Sequence, residues 1–350
     1  MRARIAAAAL AGLATMTVAC QSSSTATPTT LASPTVPPMT SAPSASTAPS
    51  TTAAPTPTPT PTPAPAPAGV PGLAAVARVG EAAPNGLVMP QPASDAAGIA
   101  AQVNAAEGAL GDPAVVDPVR ATWARLQQVA YRRWSGHTDW DVTVRAALDP
   151  AVRARADQHL QARREFIDMR TTVSPTVPDW RVVAPEPADR LLAYYREAGA
   201  ATGVPWSYLA AINLVESGFG RIHGLSVAGA QGPMQFLPTT WAERGIGAGS
   251  IDDPHDAIQA AARYLVRRGG PKDMAAALRG YNNHAAYVRA VTTYATMFAA
   301  DERTYTALWN WEIFYFAEPG DLWLPVGYEQ PVRLAATDYL RTAPWSAPAP

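Results

Sequence analysis

The sequence predicts a mainly α-helical protein with an N-terminal helical extension and a short β-containing C-terminal tail. Three observations predict it. Apolar residues recur at helical spacing between about residues 93 and 300. Asp-Pro pairs and glycines punctuate those stripes where helices would start and stop. Strand-like runs are confined to the stretch after Trp309.

The chain ahead of the helices is of a different kind. Fourteen prolines fall between Pro28 and Pro71, no charged residue lies between Arg4 and Arg78, and no aromatic residue precedes Trp123. Such a segment cannot bury enough apolar area to offset its chain entropy, so 21–92 is expected to be a disordered Pro/Thr/Ser/Ala-rich linker. The alternating prolines of 55–67 hold the backbone near polyproline II, at about 3.1 Å per residue. Residues 1–20 run from charged to apolar to small, the layout of a secretory signal, with an apolar run too short to span a bilayer. The single cysteine closes Thr17-Val18-Ala19-Cys20, and the segment resembles a bacterial lipoprotein signal. That resemblance implies a lipid on Cys20, attachment to the membrane through it, and export to the outer face of the bacterial cell membrane or the cell wall.

The helical part divides in two. Val119, Trp123, Leu126 and Ala130 form one stripe, and Val152, Ala156, Leu160 and Ile167 another, behind Asp149 and Pro150. Prolines at 175, 178, 185 and 187 mark a boundary that separates a helical region, 93–187, from a second one, 188–300. The second holds helices over 189–200 and 205–217, the latter stopped by Gly218 and Gly220. Asp253-Pro254-His255-Asp256 reads as an N-cap, a first-turn proline and a first-turn acid. Tyr287, Val291, Tyr294 and Phe298 share a face of a last long helix. The extension 301–350 carries strands at 311–316 and 322–324, with Pro319-Gly320 as the turn between them.

Most chemistries are excluded by composition. A formal net charge of -1 leaves no surplus of Lys and Arg for nucleic acid. One cysteine removes disulfides, iron–sulfur clusters and cysteine-based zinc sites within the chain. Histidines 137, 159, 223, 255 and 284 are scattered without paired spacing, and neither phosphate-cradling glycine motif occurs, so no metal and no cofactor are expected. Ser226 misses the nucleophile-elbow spacing by one residue. What remains is Glu216, on the helical face of Leu209 and Ile212. An acid on an apolar stripe at a helix C-terminus is disfavoured in its charged form, which suits a proton donor near neutral pH. Periodicity alone also allows that side chain to reach solvent or to cap the following loop.

Three segments then carry a specific resemblance. Glu216-Ser217-Gly218-Phe219-Gly220, the run Ser226-Val227-Ala228-Gly229-Ala230-Gln231-Gly232-Pro233-Met234-Gln235-Phe236-Leu237-Pro238-Thr239-Thr240-Trp241, and Ala277-Leu278-Arg279-Gly280-Tyr281-Asn282 resemble, in order, the motifs of the Slt-type lytic murein transglycosylases, relatives of goose-type lysozyme. The resemblance implies a lysozyme-like helical transglycosylase domain over 188–300 and a peptidoglycan glycan strand as partner. It implies cleavage of the β-1,4 bond between N-acetylmuramic acid and N-acetylglucosamine, leaving a 1,6-anhydromuramyl end. Glu216 would be the catalytic acid and then base, with Ser217, Ser226, Met234, Gln235, Tyr281 and Asn282 in substrate binding and Tyr281 holding the acid or the developing charge. Asn283-His284 replaces the usual small residue after Tyr-Asn, and the loop 221–225 is about one residue longer than in the commonest pattern. Two other readings stand beside this one: a hydrolytic muramidase in which Asp252 or Asp253 positions water, and a non-catalytic wall-binding lipoprotein.

Overall fold

The computed structural model describes residues 70–170 and 172–347, so Cys20 and the proline-alternating tract lie outside the described residues. A one-turn helix, α1 (Leu73–Val76), precedes an antiparallel hairpin of β1 (Val79–Ala82) and β2 (Val88–Pro90). Of the linker expected over 21–92 only residues 70–92 are described, and there the expectation is corrected: Val70, Leu73, Ala83 and Met89 are buried in the main core. The aromatic bulk that this segment lacks is lent by α3, because Gly72 lies against the ring of Trp123.

Four helices follow: α2 (Ala96–Gly111), α3 (Val119–Ser135), α4 (Asp141–Ala147) and α5 (Pro150–Asp168). Asp95 caps α2 by accepting the Gly98 N–H at 2.7 Å. Next come β3 (Thr176–Val177), β4 (Arg181–Val182), α6 (Ala188–Thr202), α7 (Trp206–Ser217), β5 (Ile222–His223) and α8 (Pro238–Trp241). The chain continues through α9 (Pro254–Arg267), α10 (Met274–Tyr281) and α11 (Ala285–Ala300). It ends in α12 (Glu302–Trp309), the hairpin β6 (Ile313–Ala317) and β7 (Gly320–Leu324), then β8 (Leu334–Ala335) and α13 (Ala336–Thr342). The fold is mainly helical with short strands, as the sequence predicts. No helix among the described residues is long and apolar enough to cross a membrane.

Helix α11 is the spine. It packs along α5 on one side and α7 on another, and Tyr287, Val291, Tyr294 and Phe298 are all buried in it. The main core therefore runs from α2 and α3 through α5 and α11 to α7 and α9.

The proline-rich boundary near 171–187 turns out to be structural. β3 pairs with β8 and β4 with β5, both antiparallel, with Arg181 opposite His223 and Val182 opposite Ile222. Val177, Val182, Ile222, Ile313, Tyr315 and Leu324 build a second core beneath these ribbons. Pro175 and Pro178 flank a two-residue strand in a two-stranded sheet, where a missing N–H removes no ladder bond from a central position. The segment before α6 thus supports the chain directly after α7.

Candidate active site

Helix α7 is apolar nearly all round, so it sits inside the protein, and Glu216 in its last turn goes in with it. The residue is 2% exposed. The Tyr287 hydroxyl, from α11, donates to Oε1 at 2.7 Å. Burial pushes the carboxyl up from 4.5 to about 8, and the Tyr287 bond, which favours the ionised form, pulls only part of the way back. The differential is of order 5 kcal/mol between the two protonation states. Glu216 is therefore a neutral carboxylic acid at neutral pH.

A polar clamp joins this helix end to the glycine-rich loop. Asn213, fully buried one turn before Ser217, accepts the Tyr195 hydroxyl at 2.5 Å and donates to the Pro233 carbonyl at 2.8 Å. The Ser217 hydroxyl donates to the same carbonyl at 2.5 Å and accepts the Gly220 N–H at 2.9 Å. Gly218 ends the helix in the left-handed region, its Cα against Ile313, so a Cβ there would stand 2.5 Å from Cδ1. Arg221 donates from Nη1 to the Gly218 carbonyl at 2.9 Å and from Nη2 to the Trp309 carbonyl at 2.5 Å, binding the acid's helix to the C-terminal extension.

The loop approaches the next segment as closely as backbone allows. A Cβ on Gly232, at φ +75°, would stand 2.0 Å from the Ile251 carbonyl oxygen. Gln235 holds φ 49°, a left-handed conformation that a non-glycine residue adopts at a cost of about 1 kcal/mol or more. Its side-chain amide donates to the Gly232 carbonyl at 2.9 Å.

The other residues that the resemblance names are placed as follows. Ser217 is fully buried and its hydroxyl is engaged by the clamp that holds the loop after the acid. Met234 is fully buried in the main core, and its carbonyl accepts the Tyr281 hydroxyl at 2.6 Å. The hydroxyl on the acid comes from Tyr287, whereas Tyr281 steadies the loop from below. Ser226 holds a tight turn, its Oγ accepting the N–H groups of Ala228 at 3.2 Å and Ala230 at 2.9 Å. Asn282 is 1% exposed, and its side-chain amide has no partner among the described residues. A buried amide left this way costs about 1–3 kcal/mol and retains its capacity for a ligand.

The candidate second carboxylates are placed differently. Asp253 caps α9 by accepting the Asp256 N–H at 3.0 Å, which occupies it as the sequence suggests. Asp252 lines a cavity of about 300 Å³ with Arg181, His223 and Gly232. Neither enters the shift of Glu216, which burial and Tyr287 account for. The one close group of potential metal ligands among the described residues, Asp253, His255 and Asp256, is engaged: Asp256 accepts the Ser250 N–H and His255 meets Glu197 at 3.1 Å.

Residues 193–303 match the family model described as "Transglycosylase SLT domain". The match spans α7, the glycine-rich loop, Tyr281, Asn282 and Tyr287. No curated protein and no solved structure matches the chain.

Proposed function

We propose that this protein is a peptidoglycan lytic transglycosylase that cleaves the β-1,4 bond between N-acetylmuramic acid and N-acetylglucosamine, with Glu216 as the catalytic residue. One observation carries the reading: a carboxyl buried and pushed up to about 8, with a phenol on one oxygen and, among the described residues, no second carboxylate perturbing it. A hydrolytic glycosidase with two carboxylates keeps them about 5–5.5 Å apart for retention or 6.5–9.5 Å for inversion. One acid suffices where the sugar supplies its own nucleophile.

In the first step neutral Glu216 gives its proton to the glycosidic oxygen as the bond from that oxygen to C1 of the muramic acid breaks. The neighbouring N-acetyl oxygen stabilises the resulting positive charge. Glu216, now a carboxylate held by the Tyr287 hydroxyl, takes the proton from the C6 hydroxyl while O6 bonds to C1. The acid is restored and no water is consumed.

Mass spectrometry of digested peptidoglycan is expected to find muramic ends lighter by one water, the 1,6-anhydro form. Reducing ends alone would replace this reading by the muramidase, with Asp252 as the residue to test. We further propose an exported protein anchored by a lipid on Cys20, supported by the sequence layout around that residue. Acyl labelling is expected to be lost in Cys20→Ser, and a label that persists would remove the anchor.

A further inference from the structure

The cavity of about 300 Å³ beside the glycine-rich loop is walled by charges that the transglycosylase reaction leaves unused. Arg181, on β4, and Asp252, just ahead of α9, both line it and both are exposed. Among the described residues neither side chain has a hydrogen bond or an ion pair, and they do not pair with each other. An accessible cation and an accessible anion therefore face one cavity without neutralising each other.

The backbone holds them there. β4 is paired with β5, which sets Arg181 opposite His223. The Trp180 ring lies against Gly224, where a Cβ would stand 2.1 Å from Cδ1, and its Nε1 donates to the Leu225 carbonyl at 3.4 Å. Gly232 presses on the Ile251 carbonyl, one residue before Asp252. His223 senses both charges: partial burial and Arg181 hold its pKa down, while Asp252 and a hydrogen bond with the Gly220 backbone oppose them. The Gly220 N–H in turn bonds the Ser217 hydroxyl, so the cavity and the end of the acid's helix share one loop.

We propose that this cavity binds a zwitterion, a single ligand whose carboxylate meets Arg181 and whose ammonium meets Asp252. A ligand of one sign would face a like charge on one wall, and an uncharged one would desolvate both groups without pairing them. The guanidinium fork matches a planar carboxylate, and the Asp252 carboxylate accepts from an ammonium. The volume sits at the lower end for small-molecule sites, and exposed Leu225 with Pro233 borders the ligand's carbon chain. The ligand is an amino-acid residue with both charges free, either soluble or in a wall peptide that is not cross-linked. Choosing the wall peptide rests on the function proposed above; the charge complementarity does not. Cross-linking acylates the amine, so such a site would distinguish free stems from joined ones.

The test is NMR titration of the full chain with three probes. Nα-acetyl-lysine carries both charges, Nα,Nε-diacetyl-lysine keeps only the carboxylate, and Nα-acetyl-lysine amide keeps only the ammonium. The first is expected to bind saturably and each of the others about fivefold more weakly. Arg181→Gln is expected to weaken Nα-acetyl-lysine about fivefold without weakening the amide, and Asp252→Asn to weaken it about fivefold without weakening the diacetyl compound. Should one variant fail to fold, the other decides. Absence of saturable binding, equal binding of the three probes, or insensitivity of Nα-acetyl-lysine to a folded variant each overturns the proposal. Co-sedimentation with peptidoglycan before and after acetylation of its peptide amines separates the sources. Weaker pelleting after acetylation, with no such difference in Asp252→Asn, assigns the wall peptide; no change, with Nα-acetyl-lysine still binding, assigns a soluble amino acid. Neither measurement requires glycan cleavage, so product analysis tests the transglycosylase reading separately.

Discussion

Glu216→Gln is expected to lower peptidoglycan cleavage by about 10²–10⁴-fold, because it removes the transferable proton and keeps the side chain's shape. Release of soluble muropeptides measures the loss, and circular dichroism checks that the fold is retained. Turnover within tenfold of the parent would take Glu216 out of the mechanism. The same substitution has a signature in stability. Below pH 4.5 the carboxyl is neutral in both folded and unfolded chains and imposes no penalty. Between 4.5 and about 8 the unfolded chain ionises while the folded one keeps its proton, so stability falls as pH rises. Above about 8 the loss is complete, of order 5 kcal/mol. Glutamine carries no such proton, so urea denaturation across this window is expected to show a flatter pH dependence in the variant. An identical slope in both proteins would mean that burial does not hold the acid neutral.

Tyr287→Phe is expected to cost about tenfold to a hundredfold in rate, the worth of a hydrogen bond to a charged group. It is also expected to move the pH profile in a defined direction. The Tyr287 bond stabilises the carboxylate, so its removal raises the acid's pKa further above 8. The alkaline limb of activity, where Glu216 loses its proton, should shift to higher pH even as the maximum falls. A limb that stays in place or moves to lower pH would show that Tyr287 acts on something other than this carboxyl. A purely structural loss lowers the rate without moving the limb.

How much of this was legible in the sequence differs from residue to residue. Asp253-Pro254-His255-Asp256 announces the start of α9 because capping is local chemistry, complete within four residues. The face of α11 is equally plain, since Tyr287, Val291, Tyr294 and Phe298 repeat at helical spacing. Periodicity, however, names a face and not the neighbour across from it. Tyr287 therefore reads as ordinary core, and the expectation of a hydroxyl on the acid goes to the motif's own tyrosine, Tyr281, although the bond comes from Tyr287. Asn213 was open to inference from its place one turn before Ser217, but its bond to Pro233 joins residues twenty apart. The short ribbons were hidden for the same reason: β4 and β5 are two residues each and have no pattern apart from one another. The order of residues 70–92 is not legible in their own composition, because their core partner, Trp123, lies outside that stretch.

The pairing of β4 with β5 has a practical consequence for anyone wishing to transplant this catalytic unit. A fragment cut to the motif-bearing segment alone would leave Ile222 and His223 without their strand, strip α5 from the flank of α11, and take Ile313 away from Gly218. Each severed contact borders the end of the helix that carries Glu216 or the helix that carries Tyr287. Portability therefore belongs to the whole described chain, and shuttling the motif-bearing stretch into another scaffold would deliver the acid without the walls that keep it dry.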